Sequence, residues 1–124
     1  MQLDHINVSA PMELLEKVKE FYCTVFELEN GFRPAFGKGG FWLYSGENPI
    51  IHLSQSNAHH PAENRGCLDH VAFRATGLQA LVDRLESQQL AYRASHIPEL
   101  NMTQLFFSDP AGTGLEVNFL NETL

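Results

Sequence analysis

Residues of the types that bind transition metals recur at matched positions in the two halves of this sequence. Residues 3–10 read Leu-Asp-His-Ile-Asn-Val-Ser-Ala, and residues 68–75 read Leu-Asp-His-Val-Ala-Phe-Arg-Ala. A second correspondence aligns the segment around His52 with the segment around Glu116. Neutral imidazole and carboxylate groups are ligands of Zn, Ni, Co, Mn and Fe(II), whereas Mg and Ca need more oxygen ligands. The sequence therefore predicts a site for one divalent transition metal, with the ligands His5, His52, His70 and Glu116.

The repeat also predicts the architecture, because self-similarity at a fixed spacing indicates two copies of one structural unit. Each copy reads as a strand, a helix and three more strands, so the fold class is α+β with two β-α-β-β-β modules. We expect curved mixed sheets, with the helices on the outer face and the metal site on the concave face. One domain covers residues 1–124: module 1 spans about 1–56, a linker about 57–66, and module 2 about 67–124.

The spacing of the apolar residues predicts the individual elements. In module 1 these are a strand at 2–9, a helix at 12–27 that is ended by Asn30-Gly31, and strands at 31–36, 40–45 and 49–55. In module 2 they are a strand at 67–75, a helix at 77–89 with Thr76 as its N-cap, and strands at 92–97, 102–108 and 113–120.

Side-chain alternation within the strands tests whether the four candidate ligands can share one metal site, because neighbouring residues point to opposite faces of a sheet. Glu116, for example, stands between Leu115 and Val117, and His52 has apolar neighbours of the same kind. The apolar side chains can cover the helix while the imidazole or carboxylate points to the other face. A single histidine on a strand is usually an ordinary hydrogen-bonded residue, but four matched positions favour a metal site.

Further residues could contact a substrate on the same face. The candidates are Asn7, Arg33, Trp42 and Gln104, although packing or surface explains each of them equally well. For His59 and His60 in the linker, and for His96 at a strand end, an ordinary surface position is the favoured interpretation.

Composition excludes several classes of function. The chain has 124 residues, 44% of them apolar, which is enough for a compact core. A formal charge of −7 and no cluster of basic residues argue against nucleic acid or an anionic membrane as a partner. No apolar run is long enough for a membrane-spanning helix. The two cysteines, Cys23 and Cys67, are expected to be buried thiols in a reducing compartment, so a cytoplasmic protein that acts on a small molecule is predicted.

Several motifs carry a resemblance to a known superfamily. They are residues 3–6, Phe21-Tyr22, residues 68–73, and residues 107–112 with residues 115–117 beyond them. With these motifs the chain resembles, over nearly its whole length, the vicinal oxygen chelate superfamily. That superfamily includes glyoxalase I, fosfomycin resistance thiol transferases, bleomycin resistance proteins, methylmalonyl-CoA epimerase and extradiol dioxygenases. The resemblance implies that His5, His70 and Glu116 are metal ligands. His52 departs from the pattern, since it falls where glyoxalase I has a second ligand glutamate.

The function that the resemblance implies first is that of a metal-dependent, glyoxalase-like isomerase or lyase. Such an enzyme acts on a small substrate with two vicinal oxygens through an enediolate-like intermediate. Glu116 and His52 would be its catalytic residues, with Glu116 moving the proton. A thiol cosubstrate such as glutathione is compatible with this function.

Two alternatives stay open. In an Fe(II) extradiol-type dioxygenase, His5, His70 and Glu116 would hold the iron and His52 would act as an acid or base. Phe106 and Phe107 stand where such enzymes carry a tyrosine, which argues against this alternative. The other alternative is a bleomycin-resistance-like protein that binds a small molecule or transfers a thiol to it.

A homodimer with shared active sites is the last expectation. One module offers only two ligands, on its first and last strands, and an open sheet cannot enclose a substrate. We therefore expect His5 and His52 of one chain to face His70 and Glu116 of its partner. Twofold symmetry then gives two equivalent sites, because the same surface serves both chains.

Overall fold

The computed structural model describes residues 1–58 and 67–124. The chain divides into two compact units, Met1–Arg65 and Gly66–Leu124, as the sequence repeat indicates. Most of the predicted linker, including His59 and His60, lies outside the described residues. That both modules belong to one domain stays a prediction.

The first unit is a β-α-β-β-β module. Its elements are β1 (Ile6–Ala10), α1 (Met12–Val25), β2 (Glu29–Gly31), β3 (Gly40–Ser45) and β4 (Asn48–Gln55). The strands form one sheet in the order β1-β4-β3-β2. Since β1 runs parallel to β4 and the other neighbours are antiparallel, the sheet is mixed.

Helix α1 packs against this sheet through an apolar stripe with helical spacing. The buried residues of the stripe are Leu15, Val18, Phe21, Tyr22 and Val25. Opposite them lie buried strand residues such as Leu43, Ile51 and Leu53. The apolar face of the sheet therefore packs against the helix, and polar side chains can occupy the other face.

The helix ends earlier than its sequence predicts. It stops at Val25, and Glu27 adopts a positive φ of 57° while the Leu28 amide donates to the Tyr22 carbonyl. Asn30 and Gly31 consequently belong to β2 rather than to a helix terminus. The strand predicted at 31–36 is also wrong, because Pro34 has no N–H to donate to a neighbouring strand.

The second unit repeats the same order of elements. They are β5 (Val71–Ala75), α2 (Leu78–Ser87), β6 (Arg93–Ile97), β7 (Met102–Ser108) and β8 (Gly114–Leu120), with a 3₁₀ turn at Pro98–Leu100. The sheet order is β5-β8-β7-β6, the same permutation as in the first unit. The two predicted β-α-β-β-β modules and the α+β class are therefore confirmed, whereas the outer position of the helices and the place of the metal site stay predictions.

The start of helix α2 differs from the prediction that Thr76 caps it. The N-cap position is Gly77, whose φ is 87°. The carboxylate of Glu122 accepts hydrogen bonds from the amides of Gly77, at 3.0 and 3.1 Å, and Leu78, at 2.7 Å. The amides of the N-cap residue and of the first helical residue are thus satisfied by a side chain 44 to 45 residues away in the sequence, and not by Thr76.

Two further outcomes concern the cysteines and the membrane. Cys23 is half-buried, whereas Cys67 is exposed, which contradicts the expectation that both are buried. Burial raises the pKa of the Cys23 thiol. Within residues 1–58 and 67–124, no helix combines the length and the apolar character that crossing a membrane requires.

Candidate metal centre

Strand register in the first unit brings three candidate residues onto one face of its sheet. Asn7 of β1 and Trp42 of β3 are both directly opposite His52 of β4. Residues opposite each other on paired strands share a face. His5 lies one residue before β1, rather than within the strand as predicted, and two residues before Asn7, which gives it the same orientation.

The rings on this face form a stack. The centroids of His5 and His52 are 3.7 Å apart with a 14° angle between planes, and those of Trp42 and His52 are 4.1 Å apart with an 11° angle. The ring of His52 is thus held between two flat groups. Its orientation is fixed by packing, which is what a metal ligand requires of its surroundings.

One nitrogen of His52 has no partner. Its Nε2 atom is buried and makes no hydrogen bond to any residue that the structure describes. Burial lowers the pKa of His52, and the neighbouring His5 lowers it further. The ring is therefore neutral at pH 7, and a neutral imidazole with a free nitrogen is the form that binds a metal ion.

His5 and His70 each have an aspartate on the other ring nitrogen. Asp4 lies 2.6 Å from Nδ1 of His5, and Asp69 lies 2.8 Å from Nδ1 of His70. When the Nδ1–H donates to a carboxylate, the lone pair of the neutral ring is on Nε2. The hydrogen bond with Asp69 also raises the pKa of His70. In both copies of the repeat, the same Asp-His arrangement thus leaves Nε2 as the histidine nitrogen that can bind a metal.

In the second unit, register and a direct contact bring His70 and Glu116 together. Glu116 of β8 is opposite Ala72 of β5, two residues after His70. The Nε2 atom of His70 lies 3.0 Å from Oε2 of Glu116, whose side chain is only 10% exposed. Two ligand atoms about 2.1 Å from one metal ion and at right angles to each other are about 3 Å apart. The spacing of this pair fits two ligands of one ion.

The other oxygen of Glu116 is engaged by Gln104. The amide nitrogen Nε2 of Gln104 donates to Oε1 of Glu116 at 2.8 Å and to Oδ1 of Asn118 at 3.0 Å. Both oxygens of the buried carboxylate therefore have a partner, as a buried charge requires.

The remaining predicted substrate residues lie in the first unit. The Asn7 side chain accepts a hydrogen bond from Ser54 at 2.9 Å. Arg33 donates to the carbonyl of Lys38 at 3.0 Å, and its guanidinium lies over the ring of Phe36. The Arg33 Nε atom is buried without a partner among the described residues. A role in substrate binding stays a prediction for Asn7, Arg33, Trp42 and Gln104.

Each unit thus supplies two of the four predicted ligands: His5 and His52 stack in the first, and His70 and Glu116 pair in the second. Among the residues that the structure describes, no group of three or more His, Cys, Asp or Glu side chains is placed to hold a metal ion. The donor set of neutral imidazoles and one carboxylate fits a divalent transition metal. Convergence of all four on one ion stays a prediction.

Two positioning groups were absent from the sequence prediction. Asp4 and Asp69 could have been found, because an aspartate precedes the histidine in both copies of the motif.

Comparison with known proteins identifies the fold. No model of a protein family matches the sequence, and neither does any curated protein. Among solved structures, a glyoxylase/bleomycin resistance protein/dioxygenase domain from Frankia sp. EAN1pec is 17% identical with a TM-score of 0.77, over 96% of this chain and 97% of that one. A glyoxalase/dioxygenase from Nostoc punctiforme is 17% identical with a TM-score of 0.75, over 98% and 92%. A lactoylglutathione lyase from Agrobacterium tumefaciens is 18% identical with a TM-score of 0.64, over 95% and 92%.

These likenesses show that the chain has the fold of the glyoxalase/bleomycin resistance protein/dioxygenase structures, which agrees with the resemblance seen in the sequence. Identities below 25% establish the fold and leave the reaction to be argued from the site.

Proposed function

We propose that the protein is a metal-dependent enzyme of glyoxalase type, an isomerase or lyase that acts on a small substrate with two vicinal oxygens. The observation that carries this proposal is the pair of His70 and Glu116, with Nε2 and Oε2 3.0 Å apart and Asp69 on the other ring nitrogen. The stacked pair of His5 and His52 at the matched positions of the first unit supports it.

The four side chains have distinct tasks. His5, His52, His70 and Glu116 would hold a divalent transition metal such as Zn, Ni, Co, Mn or Fe(II). A bound ion of this kind supplies Lewis-acid stabilisation of negative charge on the substrate oxygens. Glu116 takes a proton from the carbon beside those oxygens and returns it to the neighbouring carbon. His52, whose pKa is lowered by burial, would serve as a second acceptor or donor of protons when its ring does not bind the ion.

The environment of Glu116 suits proton transfer. The carboxylate is buried, and its Oε1 atom is hydrogen-bonded to Gln104, so Oε2 is the oxygen that is left to bind the ion or to exchange the proton. A thiol cosubstrate such as glutathione belongs to the proposal, since the lyase among the structural neighbours is named for a glutathione adduct.

The proposal includes an oligomeric state, in which two copies of the chain form a homodimer. Each unit carries two ligands, so a complete set needs one pair from a first unit and one pair from a second unit, and in the proposed homodimer these two units belong to different chains. Two equivalent sites would follow from twofold symmetry.

Metal content tests the proposal. Protein purified without added metal is analysed for its elements, and a titration with Co(II) or Zn(II) follows for the wild type, His70→Ala and His96→Ala. His96 is the matched control, because it is a histidine of the same unit whose Nδ1 contacts Thr103 instead of the candidate ligands. We expect His70→Ala to lose tight binding and His96→Ala to keep it. Equal metal content in all three proteins would show that His70 is structural.

Activity tests the reaction. Metal-loaded protein is assayed with 2-oxoaldehydes in the presence and absence of glutathione, and Glu116→Gln is assayed alongside. The proposal expects turnover by the wild type and a loss of roughly 100-fold or more in the variant, which keeps the shape of the side chain and removes the base. Iron as the native metal, together with cleavage of catechols, would favour the dioxygenase instead.

A further inference from the structure

We propose that Gln104, itself held by Asn118, is a positioning residue that fixes the Glu116 carboxylate so that only Oε2 faces His70. The inference deepens the proposed function, since Glu116 is the base and a ligand there. In this role Gln104 orients a side chain of the protein and does not itself bind the substrate.

The geometry comes from strands β7 and β8. Gln104 is directly opposite Asn118, and Phe106 is directly opposite Glu116, so Gln104 is the diagonal neighbour of Glu116 on the same face. From there its amide nitrogen reaches Oε1 of Glu116 at 2.8 Å and Oδ1 of Asn118 at 3.0 Å. Both N–H groups of the amide are thus used within the protein.

Glu116 and Asn118 together set which end of the Gln104 amide faces the carboxylate. An amide has nearly the same shape when its oxygen and nitrogen are exchanged, and an oxygen turned toward Glu116 would repel it. The Oδ1 acceptor of Asn118 favours the orientation in which nitrogen points to both partners. A carboxylate with one oxygen engaged in this way offers a single oxygen to an ion or a proton.

The first unit supplies an internal comparison. Trp42 is directly opposite His52 in the first unit, as Phe106 is directly opposite Glu116 in the second. The residue two positions before Trp42 is Gly40, which is opposite Ser54 and occupies the position equivalent to Gln104. The unit that carries an imidazole thus has no amide at this position and orients the ring by stacking. The amide occurs only where there is a carboxylate to hold.

A metal titration with a double-mutant cycle tests whether Gln104 acts through Glu116. Gln104→Met removes the donor at nearly constant size, and Ser95→Ala is the control, because Ser95 is the other strand neighbour of Gln104. We expect Gln104→Met to weaken Co(II) binding roughly 10- to 100-fold and to change the visible absorption of the Co(II) protein, with no change for Ser95→Ala. In a Glu116→Ala background, Gln104→Met should have no further effect.

An independent effect of Gln104→Met in the Glu116→Ala background would overturn the inference. So would an unchanged Co(II) affinity combined with a raised KM, because that pattern belongs to a substrate-binding residue.

A measurement on the metal-free protein separates this inference from the proposed function. In ¹⁵N spectra, both side-chain N–H resonances of Gln104 should shift in Glu116→Ala and also in Asn118→Ala, while Ser95→Ala leaves them in place. Resonances that ignore Glu116 and Asn118 would overturn the positioning role whether or not metal binds. Wild-type protein that binds no Co(II) would overturn the proposed function, and the spectra would still decide the role of Gln104.

Discussion

The imidazole of His5 lies flat against that of His52, with ring centroids 3.7 Å apart and planes 14° apart. Trp42 covers the other side of His52 at 4.1 Å. The Nε2 atom of His52 is buried without any hydrogen-bond partner among the described residues, and an unsatisfied buried nitrogen costs about 1–3 kcal/mol. A bound metal ion would relieve that cost, so His52 is a group through which metal binding can stabilise the fold.

The first prediction therefore concerns His52→Phe, which keeps the flat ring and removes both nitrogens. The free energy of unfolding of the metal-free variant should equal that of the wild type or exceed it, by up to about 1–3 kcal/mol. The stabilisation that the wild type gains on adding Zn(II) should largely disappear in the variant. Denaturant unfolding with a chelator and with excess Zn(II) measures both effects. A variant that gains as much from Zn(II) as the wild type would contradict a ligand role for His52.

The second prediction concerns the aspartates behind His5 and His70. Asp69→Asn removes the charge that holds the His70 ring, so the affinity for Co(II) should fall. Loss of a residue that hydrogen-bonds to a metal ligand weakens metal binding by about 10- to 100-fold, and we expect about 10-fold here because Asp69 is exposed. Asp4→Asn should act similarly on His5, whereas Asp83→Asn, an exposed aspartate on helix α2, should have no effect. Equal affinities for all three variants would show that the Asp-His pairs are surface contacts only.

The same substitution has a pH signature in the metal-free protein. The hydrogen bond with Asp69 raises the pKa of His70 above its unfolded value, so the pair stabilises the fold fully below the unfolded pKa. That contribution is lost as the pH rises through the folded pKa. Asp69→Asn should thus lower the pKa of His70 in an NMR titration, and its loss of stability relative to the wild type should be confined to the acidic side.

The sequence predicts those parts of the fold that depend on local pattern. Alternation and helical spacing gave both modules, and the Leu-Asp-His repeat gave the matched ligand positions. Face assignments followed from strand parity, and the register of His52 with Trp42 and the contact of His70 with Glu116 agree with them.

The errors arise where residues distant in the sequence, or single backbone angles, determine the local structure. Glu27 takes a positive φ and ends α1 early, although nothing in its type indicates this. Glu122 caps α2 from 44 residues away, so the local signal at Thr76 was misleading. The contacts of Gln104 with Glu116 and Asn118 were not predicted either, because these partners lie on another strand and are found only from the register.

The third prediction tests the cap of α2. Glu122→Ala leaves the amides of Gly77 and Leu78 without their carboxylate partner, and loss of such a cap costs about 0.5–2 kcal/mol. Denaturant unfolding should show a lower midpoint with an unchanged slope. Glu47→Ala, in the exposed turn between β3 and β4, is the control and should match the wild type. A midpoint that falls equally in both variants would indicate a general effect of charge instead of a cap.

The last prediction follows from the two ligand pairs, one in each unit of the chain. If a homodimer completes each site with His5 and His52 from one chain and His70 and Glu116 from the other, variants of different chains will complement each other. Homodimers of His5→Ala and of Glu116→Ala should each bind metal weakly at both sites. In a mixed dimer of the two, one site lacks both altered ligands and the other has all four, so about half of the wild-type metal should remain tightly bound.

Differently tagged chains, co-expressed and purified in sequence, give the mixed dimer for elemental analysis. If all four ligands came from one chain, every site in the mixed dimer would lack one ligand, and metal content would be as low as in the homodimers. Light scattering on the wild type that finds a monomer with metal bound would contradict the shared site directly.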